Sequence, residues 1–265
     1  MPFFDFSGTR IHYVDIQPKE STSVGMPIVF VHGAGSSHIS WSLQLREFSK
    51  TNRSIALDLS GHGESDDGKP AVSIEDDYTS ELKGLITHLG LQDFILVGHS
   101  MGGAVAMSYV LREDTVRPRG LVLVDTSSSL DLSKLALGLA IEAVEDRLLL
   151  FRNRSLEEFT DTYKIKRIEE QTRLSNPEVL RRDLAACDRF DITSRLSQIE
   201  VPTFVLVGDD DDIVPPRIAK SLQKSIPRSD IAVVRKADHA PMIENPEEFN
   251  RLLRRFVKWV ESHEA

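Results

Sequence analysis

One stretch in the first half of the chain constrains the fold more than any other. Four apolar residues of the kind common in strands, 94–97, lead into Gly-His-Ser-Met-Gly at 98–102, and a helix-forming run continues to residue 111. This order predicts a strand, a sharp turn and a helix, with Ser100 on the turn. Such a turn forces the serine into a strained backbone conformation. The flanking glycines stand where a Cβ atom would collide with the neighbouring strand and helix.

The pattern around Ser100 has two interpretations. Five residues with three fixed also occur in ordinary glycine-rich turns, so the rest of the chain must decide. In a nucleophile turn the Ser100 Oγ stands at the carboxyl edge of a sheet, above a helix N-terminus that favours developing negative charge. A serine is a poor nucleophile at neutral pH unless a base lies within hydrogen-bond reach and an acid orients that base.

Short, continuous apolar runs elsewhere indicate the class of fold. Such runs are typical of strands buried on both faces of a parallel sheet. Helical patterns alternate with them, which predicts right-handed crossovers and a doubly wound, mostly parallel sheet. An N-terminal hairpin is predicted over 3–14, with His12 as a strand residue of no chemical role, and a polar loop over 17–26. The predicted parallel strands are 27–31, 54–57, 94–97, 120–124, 202–207 and 231–234, and the predicted helices of this part are 40–48, 73–89, 104–111, 216–226 and 245–260.

The character of the chain changes after residue 126. Residues 130–196 contain no convincing strand. Apolar stripes run along both sides of the segment 132–148, and a charged amphipathic segment covers 155–171. A third helix begins at Asn176–Pro177–Glu178, where an N-cap residue precedes proline and an acid. These features predict an all-helical segment.

The helical segment suggests a division of the chain into two parts. Residues 1–126 and 197–265 are predicted to form the core domain, and residues 127–196 a helical cap, or lid, inserted into it. A cap on the carboxyl edge of the sheet would cover Ser100 and shape a substrate pocket. The alternative is that these helices pack on a face of the sheet, and the sequence leaves it open.

The composition limits the partners that such a domain would bind. The 265 residues are 40% hydrophobic and suit one large domain with a substantial core. The net charge of −9 disfavours nucleic acid and anionic membrane surfaces as partners. It says little about a small-molecule substrate, because net charge is not the charge of a pocket. The sequence leaves the oligomeric state open between monomer and homodimer.

Features that direct a protein to a compartment favour the cytoplasm. The single cysteine, Cys187, allows no intrachain disulfide, which fits a reducing compartment. The first residues lack a basic segment followed by an apolar one, and no apolar run is long enough to span a membrane. A cytoplasmic protein is therefore expected.

Two late loops offer the base and the acid that Ser100 needs. In open α/β sheets, functional groups collect in loops at the carboxyl ends of the strands. His239 follows the last predicted strand and precedes the closing helix, so it is the expected base. The acid is expected among the aspartates at 209–212, most of which belong to a solvated turn, and Asp125 is the alternative. With an acid from 209–212 the chain order is serine, acid, histidine.

Two earlier loops contain glycines at the ends of predicted strands. The loop 32–37 lets a backbone N–H approach a ligand, so an oxyanion donor would lie there. His32 is predicted to order this loop through its ring and to have no catalytic role. In the loop 58–65, Asp58 and His62 are predicted to bond to backbone groups and hold the turn.

Together these stretches resemble the α/β-hydrolase family, in particular its small, capped, single-domain members. They fall in family order between residues 27 and 260. The resemblance implies the α/β-hydrolase fold with a helical cap insertion. It is carried by His32–Gly35, Asp58–Ser65, Gly98–Gly103, Gly208 with Asp211 and Pro215, and Asp238–His239.

The resemblance also implies roles for individual residues. In similar enzymes the acid lies three residues after the glycine that ends its strand, which selects Asp211. The backbone N–H groups of Ala34 and Met101 are implied as the oxyanion hole. Haloalkane dehalogenases and epoxide hydrolases of this family use aspartate at the turn, so Ser100 argues against both activities.

The expected activity is that of a serine hydrolase that cleaves a carboxylic ester through an acyl-enzyme. No metal or organic cofactor is expected, because no group of His, Cys and carboxylate residues has ligand spacing in the sequence. Lactone hydrolysis and hydrolytic carbon–carbon cleavage of a diketone use the same triad and stay open, and a cofactor-free perhydrolase is a further relative. A non-catalytic small-molecule receptor of the same fold is the alternative from another class.

Overall fold

The computed structural model describes residues 2–18, 24–130 and 176–263. Within them, the apolar runs of the sequence form the strands of one sheet, because their side chains can be buried on both faces. The strands are β1 Phe3–Phe6, β2 Thr9–Ile16, β3 Gly25–Val31, β4 Asn52–Leu57, β5 Ile95–His99, β6 Gly120–Val124, β7 Thr203–Gly208 and β8 Ser229–Val234. Every residue of β5, β6 and β7 is buried.

The sheet has the strand order β1-β2-β4-β3-β5-β6-β7-β8. Strands β3 to β8 run parallel to one another, and β1 and β2 form an antiparallel hairpin at one edge. Across the centre, Phe30 lies beside Val97, and Val97 beside Val122. The predicted mostly parallel sheet and the predicted N-terminal hairpin are thus confirmed.

Helices cover both faces of the sheet. In the described residues they are α1 Ser42–Phe48, α2 Thr79–His88, α3 Met101–Val110, α4 Pro177–Asp188, α5 Pro216–Ser225, α6 Pro241–Glu244 and α7 Pro246–His263. One apolar cluster joins one face to α1 and α7 and contains Trp41, Phe48 and Phe249. A second cluster joins the other face to α2, α3 and α5 and contains Leu82 and Tyr109. Two buried layers therefore fix the sheet from both sides.

The observed helix starts differ from the predicted ones where a turn of another type comes first. A 3₁₀ turn at His38–Trp41 precedes α1, and a wide π turn at Ile74–Tyr78 precedes α2. The Ser73 Oγ accepts the backbone N–H of Asp76 at 3.2 Å and caps that turn. Helix α6 was not predicted, because four residues are too few to show a helical period.

The predicted helix at 176 is confirmed as α4. The Asn176 side chain accepts the backbone N–H of Glu178 at 3.0 Å, and Pro177 occupies the first helical position, as the sequence indicated. The helical segments predicted at 132–148 and 155–171 lie outside the described residues. The extent of the cap, 127–196, therefore stays a prediction.

None of the helices in the described parts of the chain is both long enough and apolar enough to cross a membrane.

Candidate active site

The candidate site lies where the strand order of the sheet reverses. Strand β3 has β4 on one side and β5 on the other, so the chain leaves β3 in one direction and later continues from β5 in the other. Loops diverge at such a point and open a crevice outside the carboxyl ends of the strands. The loop after β3 and the turn after β5, which carries Ser100, face this crevice.

The turn after β5 has the strained geometry that its sequence predicts. Ser100 has φ +51° and ψ −120°, a region that residues other than glycine rarely adopt. A Cβ atom at Gly98 would overlap the carbonyl of Gly102, and one at Gly102 would overlap the carbonyls of Val31 and His32. Only glycine at both positions lets strand, turn and helix approach so closely.

Ser100, His239 and Asp211 come together from three loops. The Ser100 Oγ lies 3.1 Å from the His239 Nε2. The Nδ1–H of the same ring donates to the Asp211 Oδ2 at 2.9 Å. His239 is 1% and Asp211 2% exposed, whereas Ser100 is partly exposed. The serine O–H can thus donate to an unprotonated Nε2 while the carboxylate fixes the opposite nitrogen.

Asp211 differs from the other aspartates of its turn. Its Oδ1 accepts the backbone N–H groups of Ile213 and Val214 at 2.8 and 2.9 Å. Burial opposes its ionisation, but the adjacent His239 outweighs burial and lowers the pKa of Asp211 to about 2. The other three aspartates of the predicted solvated turn, at 209, 210 and 212, are exposed.

The electrostatics of His239 suit a base held close to an acid. Burial lowers the pKa of His239, but the Asp211 carboxylate outweighs that effect, and the pKa of His239 is raised above 6.5. Asp238 and Glu244 act in the same direction with smaller effects. The imidazolium that would form during catalysis is therefore stabilised where it would form.

The loop after β3 passes close to Ser100 at Gly33. A Cβ atom at Gly33 would lie 3.2 Å from the Ser100 Cβ and 2.9 Å from the His99 Nδ1. Ala34, the next residue, belongs to this loop, and Met101 is the first residue of α3. Within the part of the chain that the structure describes, the N–H groups of Ala34 and Met101 have no hydrogen-bond acceptor. As far as the described residues go, both groups are available to a ligand oxygen.

His32 orders the loop that follows β3, as predicted. Its Nδ1–H donates to the Gly33 carbonyl at 2.8 Å, and its Nε2 accepts the Leu59 N–H at 3.1 Å. Burial lowers the pKa of His32 to about 4, so the ring is neutral, as an accepting Nε2 requires. It joins the loops after β3 and β4.

His99 bonds to His239, a contact that the sequence did not indicate. Its Nε2–H donates to the backbone carbonyl of His239 at 2.6 Å, and the two ring centroids lie 5.0 Å apart. Burial and the neighbouring His239 lower the pKa of His99 to about 3, so the ring stays neutral. The only signal in the sequence was its position between Gly98 and Ser100.

Asp58 holds its loop, but with more partners than predicted. Its side chain accepts the backbone N–H groups of His38 and Glu64 at 2.6 and 3.1 Å. It also accepts the Nδ1–H of His12 at 2.7 Å and that of His38 at 2.8 Å, so His12 is more than a strand residue. Burial opposes ionisation, yet these two rings hold the pKa of Asp58 well below its usual range.

These three residues are also the potential metal ligands that the structure brings together among the described residues. The ligand atoms of His12, His38 and Asp58 lie within 4.8 Å of one another, although the residues are far apart in the sequence. Each Nδ1 already donates to the carboxylate, so a metal ion would have to displace both hydrogen bonds. The group is better described as a buried polar network that fixes the loop after β4.

His62 bonds to its own loop and also to α4. Its Nδ1–H donates to the Ser60 carbonyl at 3.1 Å, in line with the predicted local bond. Its Nε2–H donates to Asp183 of α4 at 2.7 Å. Asp183 is a second residue that sequence reasoning missed, because a single acid on an amphipathic helix looks like a solvated residue.

Known proteins resemble this chain in sequence and fold over most of its length. Residues 28–252, which include Ser100, Asp211 and His239, match the model of the alpha/beta hydrolase family. The AB hydrolase superfamily protein YisY of Bacillus subtilis (strain 168) is 28% identical, with 92% of this chain and 98% of that protein covered.

Solved structures agree. A thermophilic esterase from Thermogutta terrifontis is 27% identical with a TM-score of 0.76, and the match covers 98% of this chain and 97% of that one. Est816, described as an N-acyl homoserine lactone degrading enzyme, is 25% identical with a TM-score of 0.76, over 96% of this chain and all of that one. The chain is therefore a hydrolytic enzyme of the alpha/beta hydrolase family.

Proposed function

We propose that the chain is a carboxylic ester hydrolase that works through an acyl-enzyme on Ser100. Two hydrogen bonds carry the proposal. Ser100 Oγ lies 3.1 Å from His239 Nε2, and His239 Nδ1 lies 2.9 Å from the Asp211 carboxylate. Acyl transfer to serine needs a nucleophile, a base and an acid within such reach. The similarity to the thermophilic esterase supports the ester as substrate.

In the first half of the proposed reaction the enzyme becomes acylated. The Ser100 Oγ attacks the carbonyl carbon of the ester while His239 Nε2 takes the serine proton. Asp211 holds the Nδ1–H of the ring and stabilises its positive charge. The tetrahedral intermediate then expels the alcohol, and the proton on Nε2 passes to the leaving oxygen.

In the second half, water releases the acid. His239 Nε2 takes a proton from a water molecule, and the water oxygen attacks the acyl carbon. The second tetrahedral intermediate collapses, the proton returns to the Ser100 Oγ, and the carboxylic acid leaves. Apart from the substrate and water, every group in this scheme belongs to the chain.

The oxyanion of both intermediates is proposed to bind the N–H groups of Ala34 and Met101. The short distance between Gly33 and Ser100 supports the first assignment, because it brings the loop close to the nucleophile. The start of α3 supports the second, since a helix N-terminus has N–H groups without partners and favours negative charge.

We extend the proposal to the cap. Residues 127–196 would form a lid over the site, with residues 1–126 and 197–265 as the core. The position of α4 supports this, since Leu180 packs against Gly35 and Arg182 donates to the Ser60 carbonyl at 2.7 Å. Both contacts are to loops beside the site.

A lactone is the second candidate substrate. The similarity to Est816 favours it, and a lactone is a cyclic ester that the same triad can open. In that reaction the leaving alcohol stays attached to the acid, so the product is a single hydroxy acid.

Covalent labelling tests the nucleophile. A fluorophosphonate probe should bond its phosphorus to the Ser100 Oγ with loss of fluoride, and mass spectrometry should find the adduct on the peptide that contains Ser100. Ser100→Ala should abolish labelling. Ser108→Ala is the matched control, because Ser108 is a buried serine on α3, the helix that begins directly after Ser100, and should leave labelling unchanged. A folded wild-type protein that takes up no probe would refute the proposal.

A substrate panel tests the reaction. Nitrophenyl esters of increasing acyl length and lactones of matched size would be offered to wild type and to Ser100→Ala. We expect at least one ester to have a higher kcat/KM than any lactone, with turnover lost in Ser100→Ala. Faster turnover of lactones would select the second candidate.

A further inference from the structure

A buried carboxylate on α4 joins three segments of the core. Asp183 is fully buried. Its Oδ2 accepts the backbone N–H of Gly35 at 2.9 Å and the Nε2–H of His62 at 2.7 Å. Its Oδ1 accepts the Tyr78 hydroxyl at 2.5 Å. The loop after β3, the loop after β4 and the turn before α2 therefore all bond to one side chain of the predicted cap.

The chemistry of this contact is that of an ion pair. Both ring nitrogens of His62 face acceptors, the Ser60 carbonyl and the Asp183 carboxylate, so both must carry protons. Burial lowers the pKa of His62, but Asp183 outweighs it, and the net shift is upward. Hydrogen bonds to an ionised acceptor are about twice as strong as neutral ones, which makes Asp183 a firm anchor.

Asp183 acts on Gly35, the residue next to Ala34, whose N–H is the proposed oxyanion donor. The N–H of Gly35 and the N–H of Ala34 belong to successive peptide planes that share the Ala34 Cα atom. Holding the Gly35 N–H restricts the rotation that would turn the Ala34 N–H away. Gly35 has φ +59°, and a Cβ atom there would lie 2.9 Å from the Leu180 Cδ1, so α4 also packs against this loop.

We infer that Asp183 is a positioning residue that holds the loop Gly33–Gly35, from α4, so that the Ala34 N–H faces the oxyanion. The inference rests on the proposed function. The hydrogen bonds of Asp183 described above go to this loop, His62 and Tyr78 rather than to Ser100, His239 or Asp211. Its loss should therefore weaken oxyanion binding while nucleophile, base and acid stay in place.

A comparison of esters with thionoesters isolates this effect. Replacing the carbonyl oxygen by sulfur gives a larger atom and a weaker hydrogen-bond acceptor, so a thionoester gains little from the oxyanion hole. A well-formed hole gives a high ratio of kcat/KM for the ester to kcat/KM for its thionoester. A hole that has lost a donor lowers that ratio, whereas a general loosening of the cap slows both substrates in parallel.

Two substitutions of Asp183 test the inference. Asp183→Asn keeps the shape but replaces the charged acceptor with a neutral one, and we expect the ratio to fall about fivefold to tenfold, through kcat, with KM within twofold. Asp183→Ala should lower the ratio about a hundredfold, as expected for the loss of one oxyanion donor. If Asp183→Ala does not fold, the Asn variant decides alone.

Arg189→Gln is the matched control. Arg189 directly follows the last residue of α4, and its Nη2 donates to the Val72 carbonyl at 2.9 Å, so it joins the end of α4 to the core away from the oxyanion loop. In Arg189→Gln, the ratio of kcat/KM for the ester to kcat/KM for the thionoester should stay within twofold of wild type. A folded Asp183→Asn variant with the wild-type ratio would overturn the inference alone. A wild type that neither labels at Ser100 nor turns over any ester or lactone would overturn the proposed function instead.

Discussion

The Oδ1 of Asp125 lies 2.9 Å from the backbone nitrogen of Gly208, so a side chain after β6 holds the end of β7. Asp125 is fully buried and has φ +43°. Burial and the neighbouring Asp211 carboxylate raise its pKa well above the usual value. Two carboxyl groups thus meet at this edge of the sheet, and Asp211 is the one of the two that bonds to the His239 ring.

Asp125→Asn should leave turnover at neutral pH within about threefold of wild type, because burial and the Asp211 carboxylate already favour the uncharged form of the native side chain. The amide oxygen can accept the Gly208 N–H, and the NH₂ group can donate toward the neighbouring Asp211 carboxylate. The check is kcat on the best nitrophenyl ester. Asp125→Ala, in contrast, leaves the Gly208 N–H unpaired and should cost about 1–3 kcal/mol in the free energy of unfolding. A thousandfold loss of turnover in Asp125→Asn would show that Asp125 must be charged.

Asp211→Asn should lower kcat by about a thousandfold or more, because an amide at this position favours the wrong tautomer of His239 and cannot stabilise its charge. Asp209→Asn and Asp212→Asn are the matched controls in the same turn, and both side chains are exposed. We expect each control to retain at least a third of the wild-type kcat. Equal losses at all three positions would contradict the choice of Asp211.

The pH dependence of kcat/KM should show an acid limb with its midpoint above 6.5. The base must be neutral to take the serine proton, and the pKa of His239 is raised, so activity is lost as the pH falls through that raised value. Asp211→Asn removes the largest contribution that raises this pKa and should move the midpoint to lower pH. Rates from pH 5 to 9 on a nitrophenyl ester measure both.

Glu244→Gln tests whether Glu244, which titrates in the same pH range as His239, contributes to the acid limb. Burial raises the pKa of Glu244 to about 7, and its Oε2 accepts the Asp238 N–H at 2.6 Å. Gln keeps an acceptor at this place, so the acid limb should move only slightly. A limb that disappears in Glu244→Gln would assign it to the glutamate rather than to His239.

The free energy of unfolding of Ser100→Gly should be about 1 kcal/mol higher than that of the wild type. Glycine adopts φ +51° and ψ −120° without the strain that a Cβ atom causes, which outweighs its greater freedom in the unfolded chain. Ser100→Ala keeps the Cβ atom and should show no such gain, although both variants lose activity. Denaturant titration measures the difference. Equal stability of the two variants would mean that the turn stores no strain at this residue.

The strands and the order of the catalytic candidates could be predicted because both depend on local sequence. An apolar run such as 120–124 favours burial through its own composition. The glycines at 98 and 102 indicate that backbone segments approach closely at this turn. The choice of Asp211 over its neighbours needed a family resemblance. The structural reason for it is local to the turn, since only this side chain points inward and accepts two amides.

The supporting residues could not be predicted, because their partners are distant in the sequence. His99 bonds to a carbonyl 140 positions away, and Asp183 bonds to an amide 148 positions away. The sequence around His99 looks like that around any buried histidine, and the sequence around Asp183 like that around any exposed acid. The same holds for His12, which is joined to Asp58 across 46 positions.

The sequence by itself determined that this chain forms a mostly parallel sheet with Ser100 on a strained turn, since backbone sterics and apolar runs act over a few residues. Only the tertiary structure decided what holds His239 in place and that α4 lies against the loop of Ala34. Those relationships depend on the strand order of the sheet, which brings the ends of β3, β5, β7 and β8 to one edge.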